Sequence, residues 1–87
     1  MPKILRKKEL APNIYLFDIY APKIAASAKP GQFIILIADK YSERIPLTIS
    51  DYNVERGSVQ IVVQASGEST KKIAAFEEGE SFKDFVG

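Results

Sequence analysis

Apolar residues in this chain come in short runs separated by turn residues, the rhythm of an all-β barrel or sandwich. Six strands are expected. The first covers residues 3–10, Ala11-Pro12-Asn13 turns the chain, and residues 14–20 alternate two apolar sets, Ile14/Leu16 and Tyr15/Phe17/Ile19. Pro22 suits the first position of a short helix over 22–28, after which Lys29-Pro30-Gly31 forms a turn in which Gly31 can take positive φ. Residues 33–38 read as a buried central strand and 39–43 as a polar loop. The fourth strand, 45–51, contains Pro46, which cannot donate to a ladder and so predicts an edge or an interrupted strand. Asn53-Val54-Glu55-Arg56-Gly57 makes a hairpin into a fifth strand, 58–65, with Val59, Ile61 and Val63 on its apolar face. A short amphipathic helix over 70–76 and a last strand over 81–86 complete the set. The aromatic residues Tyr15, Phe17, Phe33, Phe76 and Phe82 read most simply as core.

A length of 87 residues allows one small domain, 1–87, with a core of modest size. Twelve lysines and arginines against eleven acidic residues give +1, so no overall field draws the chain to nucleic acid or anionic lipid. With no cysteine and no histidine there is no disulfide framework, thiolate nucleophile, iron-sulfur ligand or imidazole base. The first twenty residues interleave Lys3, Arg6, Lys7, Lys8 and Glu9 with apolar ones, so neither a signal-peptide core nor a membrane span is expected, and a cytoplasmic setting is the default.

Arg44-Ile45-Pro46-Leu47-Thr48-Ile49-Ser50-Asp51 carries the chemistry. Its alternation sets the Arg44 guanidinium and the Thr48 hydroxyl on one face with apolar residues between them. A flavin needs such a surface: a flat apolar area for its ring, a few polar groups at the ring edge, and a cation for its pyrophosphate. Gly67-Glu68-Ser69-Thr70-Lys71-Lys72 can add backbone N–H donors, because a helix opening near Thr70 leaves its first N–H groups unpaired and attracts anions. Plainer readings stand beside each feature. Ser66 or Ser69 can simply cap the helix, Arg44 can pair with Asp39 or Glu43, and Thr48 can be present for its β propensity. Lys3, Arg6, Lys7 and Lys8 solvate an edge strand, and Glu77, Glu78 and Glu80 form an exposed turn.

Taken in order, Pro30-Gly31-Gln32-Phe33, Arg44-Ile45-Pro46-Leu47-Thr48-Ile49 and Gly67-Glu68-Ser69-Thr70 resemble the FAD-binding barrel of the ferredoxin-NADP reductase superfamily. The resemblance covers the whole chain. It implies a small six-stranded antiparallel Greek-key barrel with one or two short helices. Within the superfamily the chain is similar to the branch holding ferredoxin-NADP reductase and sulfide dehydrogenase alpha subunits, dihydroorotate dehydrogenase electron-transfer subunits and related hydrogenase subunits. The resemblance gives Thr48 the catalytic position, as the hydroxyl that meets the flavin edge near N5, within a binding segment of Arg44, Ile45, Pro46, Leu47 and Thr48. Leu47 falls where many members stack a tyrosine, and the usual arginine three residues before the hydroxyl is Ile45 here, the cation standing one place earlier at Arg44. Val62, Val63 and Gln64 match the strand along the ribityl and adenosine portion, largely through backbone groups. Gly67, Ser69 and Thr70 match the pyrophosphate turn.

No Gly-x-Gly-x-x-Gly turn joins a strand to a helix here, so NAD(P)H has no dinucleotide-binding fold in this chain. The resemblance implies that an NAD(P)-binding domain and a segment carrying a [2Fe-2S] cluster follow it, with a second iron-sulfur flavoprotein subunit and ferredoxin as partners. The expected function is an FAD-binding part of an oxidoreductase moving electrons between NAD(P)H and ferredoxin or another iron-sulfur carrier. The 87 residues alone would be inactive. An electron-transfer subunit of dihydroorotate dehydrogenase or of a hydrogenase is the alternative within the branch. Outside it stand an OB-like barrel binding single-stranded nucleic acid, disfavoured by the near-neutral charge, and a docking module without cofactor.

Overall fold

A computed structural model describes residues 2–29 and 31–86 of the chain; Met1, Gly87 and Pro30 of the expected Lys29-Pro30-Gly31 turn lie outside the described residues. The elements run β1 (Lys3–Ala11), β2 (Ile14–Tyr20), α1 (Pro22–Ser27), β3 (Phe33–Ile37), β4 (Ile45–Asn53), β5 (Ser58–Gln64), α2 (Glu68–Ala74) and β6 (Asp84–Val86). Among the described residues the strands pair antiparallel in the order β1-β2-β5-β4-β3-β6. The ends of that order then meet. Lys3 bridges Ser81, the Ile4 N–H donates to the Glu80 carbonyl at 2.8 Å, and the Phe82 N–H donates to the Pro2 carbonyl at 3.0 Å. These bonds close the sheet into the all-β barrel that the short apolar runs predict.

Alternation fixes what lies inside. Phe17 and Ile19 of β2 and Val59, Ile61 and Val63 of β5 are fully buried, while their sequence neighbours Val62 and Gln64 face out. Phe82 plugs the seam where the barrel closes, edge-on to Phe17 at 5.8 Å between ring centroids and tilted against Phe76 at 4.7 Å. Lys7, though basic and on β1, points inward over the Tyr15 ring, and its ammonium donates to the Ala74 carbonyl at the end of α2 and to Glu77 Oε1 at 3.1 Å. That ties β1 to α2. It also separates Lys7 from the solvated row expected of Lys3, Arg6 and Lys8.

Four expectations need correction. β4 lies inside the sheet, between β5 and β3, and not at an edge; the interruption foreseen from Pro46 is real, because Ile45–Thr48 pair with β3 whereas Ile49–Asn53 pair with β5. β6 is shorter than 81–86, since Ser81 is spent on the bridge to β1. α2 begins two residues earlier than 70 because the Thr70 hydroxyl accepts from the Ser66 and Gly67 N–H groups, at 3.1 and 3.0 Å, and so caps the helix from within its first turn. Phe33 is not core: it is 66% exposed. No helix of the described residues is long and apolar enough to cross a membrane.

Candidate functional site

The partition of β4 between two neighbours builds the site. Its ladder to β5 stops at the Ile49↔Ile61 pair, while β5 runs on to Gln64 and β4 begins at Ile45. Toward Arg44 at one strand's start and Gln64 at the other's end, the two strands have no paired residues, and they part. Because they are antiparallel, Arg44 and the 66–70 turn lie beyond the same end of that parting.

On β4 the outward side chains are Pro46 and Thr48, and the inward ones are Ile45, Leu47 and Ile49. Ile45 and Leu47 pack partly against the core, so each offers a ligand only its exposed flank. Thr48 is exposed, and no hydrogen bond of its hydroxyl exists among the described residues. Across the strand from Thr48 stands Phe33, and across from Pro46 stands Ile35, which pairs on its far side with Val86. Phe33 is 66% exposed, Val86 47% and Val62 39%, so the outer face around Thr48 is an apolar sheet surface bearing one free hydroxyl. Val63 is fully buried, and only its backbone can meet a ligand.

Arg44 is exposed in the loop before β4 and makes no salt bridge among the described residues. One of its two expected partners, Asp39, is taken by Lys72. The Asp39 carboxylate receives the Lys72 ammonium, whose Nζ lies 2.9 Å from Oδ2, and accepts from the Tyr41 N–H at 2.9 Å and the Ser42 hydroxyl at 2.9 Å. Those contacts, the Lys72 bond first, hold the Asp39 carboxyl down to about 2. They also pin the loop leading to Arg44 onto α2.

In the 66–70 turn the Gly67 N–H is occupied by Thr70 Oγ1, and the Lys71 N–H by the Gly67 carbonyl at 2.9 Å. The N–H groups that remain for an anion are those of Glu68, Ser69 and Thr70. Glu68 itself sets a carboxylate beside them, against an incoming phosphate. The Thr70 side chain is thus an internal cap, and the turn presents backbone donors more than side chains.

The parting therefore joins a flat apolar face, an unpartnered hydroxyl, an unpaired guanidinium and a few free N–H groups, a donor set that fits a planar conjugated ring with a polar edge and an anionic tail. A groove of about 490 Å³ elsewhere, lined by Pro2, Tyr20, Ala21, Pro22, Lys23 and Ile24 among others, contains none of these residues. Phe33, expected in the core, faces out beside Thr48, because an unbroken apolar run over 33–38 does not show in sequence which of its members point away from the interior.

No family model matches the chain. It is 59% identical over 87 residues to an uncharacterised protein from the adh 3′ region of Clostridium beijerinckii, covering all of this chain and 29% of that protein. Over 85 residues it is 34% identical to a homologue of the electron-transfer subunit of dihydroorotate dehydrogenase B (NAD(+)) from Thermotoga maritima, covering 98% of this chain and 30% of the relative. Among solved structures, a study of flavin-based electron bifurcation by the NADH-dependent reduced ferredoxin-NADP oxidoreductase contains a chain that superposes with a TM-score of 0.96 at 33% identity, covering all of this chain and 32% of that one. The chain spans about 30% of the length of the curated relatives it matches.

Proposed function

We propose that this chain, a ferredoxin-reductase-like barrel of the ferredoxin-NADP reductase superfamily by sequence and by fold, holds FAD for an oxidoreductase that transfers electrons between NAD(P)H and an iron-sulfur carrier. The observation that carries the reading is the parting of β4 from β5, with Thr48 exposed on one wall and Arg44 free at its end. In this reading Thr48 donates to or accepts from the ring edge, Pro46 on the same face as Thr48 excludes water beside it, the exposed flank of Leu47 borders the ligand from the opposite face of the strand, and Arg44 neutralises the diphosphate with the Ser69 and Thr70 N–H groups. Val62 and Gln64 present backbone and outward side chains along the sugar-like linker, as Val63 does with backbone alone. Bound flavin would accept a hydride and release electrons singly, chemistry that none of the side chains here can perform.

The relatives' greater length supports a larger assembly around this barrel. Ferredoxin, a second iron-sulfur flavoprotein subunit, an NAD(P)-binding domain and a [2Fe-2S] cluster belong to the same reading, in a cytoplasmic setting. Titrating the purified protein with FAD, followed by flavin absorption, tests it: a saturable spectral change at one FAD per chain is expected. Absence of any saturable change up to about 1 mM FAD, a binding free energy of only about 4 kcal/mol, would remove the proposal.

A further inference from the structure

Phe33 is an anomaly on its own strand. It pairs in register with Thr48, stands 66% exposed, and belongs to neither ring–ring contact found among the described residues, which involve Phe17, Phe76 and Phe82. The other strongly exposed aromatic of the chain's middle, Tyr41, has the Lys40 ammonium 5.1 Å from its ring centre and a hydroxyl for water. Phe33 has neither. Cross-strand neighbours bring their Cβ atoms to about 5 Å, so the phenyl ring lies one side-chain width from the free Thr48 hydroxyl. Ile35, Pro46 and Val86 continue the same outer surface.

We infer that Phe33 is the aromatic contact for the isoalloxazine ring, covering the ring beside the edge that Thr48 addresses. The inference rests on the flavin reading above and deepens it, for it says which end of the ligand lies over β3. An aromatic face next to a hydroxyl suits a heteroaromatic ring whose polar edge must be met while its plane is kept from water. Adenine, at the other end of FAD, also has a plane to stack. The geometry favours the flavin end because the free hydroxyl is paired with Phe33, whereas the free N–H groups and the guanidinium stand beyond the far end of β5.

Phe33→Ala, Phe33→Tyr and wild type are titrated with FAD and, separately, with ADP, reading affinity and the visible flavin bands. Alanine should weaken FAD roughly tenfold, the scale of an aromatic stacking contact, and blur the band structure of bound flavin, while ADP affinity is unchanged. Tyrosine, which keeps the ring, should stay near wild type in both. Since Phe33 is exposed, thermal unfolding of the apo-proteins should coincide, which separates contact from folding. Wild-type binding with Phe33→Ala indistinguishable from it overturns the inference and leaves the flavin reading standing. An equal loss for ADP and FAD overturns it as well, assigning the ring to adenine. Failure of wild type to bind FAD overturns both.

Discussion

Gly57→Ala should be the most damaging glycine-to-alanine change among the described residues. Gly57 ends the hairpin between β4 and β5 at φ +67, buried, and its carbonyl accepts from the Ala21 N–H at 2.8 Å, which anchors the start of α1. The turn around it is already fastened by the Arg56 N–H on Asn53 Oδ1 at 3.0 Å and by the Arg56 guanidinium 3.8 Å from buried Asp18. A Cβ at position 57 would lie 3.0 Å from Pro22 Cβ, 3.2 Å from Tyr20 Cε1 and 3.3 Å from Pro22 Cα. Left-handed backbone costs an L-residue about 1–2 kcal/mol. Overpacking against a proline that cannot swing aside typically costs another ~1–3 kcal/mol. The sum is about 2–5 kcal/mol, against a whole-domain stability of roughly 4–13 kcal/mol for a chain of this size. Gly31 provides the control. It has φ +83 but open space around its Cβ position, so Gly31→Ala should lose only the backbone part, about 1–2 kcal/mol. Urea unfolding of both variants by circular dichroism measures the difference directly. Equal losses at the two glycines would refute the steric half of the reasoning.

Arg44→Ala should weaken FAD binding by about 1.5–3 kcal/mol, the range of a charge-assisted hydrogen bond, with no change in the urea midpoint, because Arg44 makes no salt bridge among the described residues; calorimetric titration checks it. Thr48→Val should slow flavin reduction by NAD(P)H in the complete enzyme by about fivefold, as loss of one hydrogen bond does, and equal rates in stopped flow would remove Thr48 from the site. Asp39 titrates lower in the folded chain, at about 2, than its ordinary 3.8, so its contribution to stability is complete above the ordinary value and disappears as pH falls through 2. Asp39→Asn should therefore be less stable than wild type at neutral pH, with the gap closing as pH falls through 2 and gone only below it, read by unfolding midpoints across that range.

Much of the architecture was legible because alternation is a local signal. Tyr15, Phe17 and Ile19 mark one side of β2 whatever they later touch, and Val59, Ile61 and Val63 do the same for β5. The misread points depend on partners remote in sequence. Phe33 lies in a run without polar residues, so only the folded sheet, where it stands exposed beside Thr48 on the adjoining strand, shows that it faces out. Arg44 beside Glu43 and near Asp39 looks paired until Lys72, 33 residues on from Asp39, takes the carboxylate. The position of Pro46 signalled an interrupted strand, but an edge and a strand shared between two neighbours leave the same trace in a sequence. Thr70 signalled a helix start, but a hydroxyl that caps from within the first turn moves that start two residues upstream.

The divided allegiance of β4 has a thermodynamic corollary. A molecule lodged where β4 leaves β5 becomes a rung between the two halves of the barrel, so its occupancy and the survival of the fold are linked by mass action. Each tenfold excess over the dissociation constant then adds about 1.4 kcal/mol to the resistance of the whole domain. The melting point of this protein should climb with the logarithm of ligand concentration, and hydrogen exchange should slow first in the backbone of Val62 to Gln64.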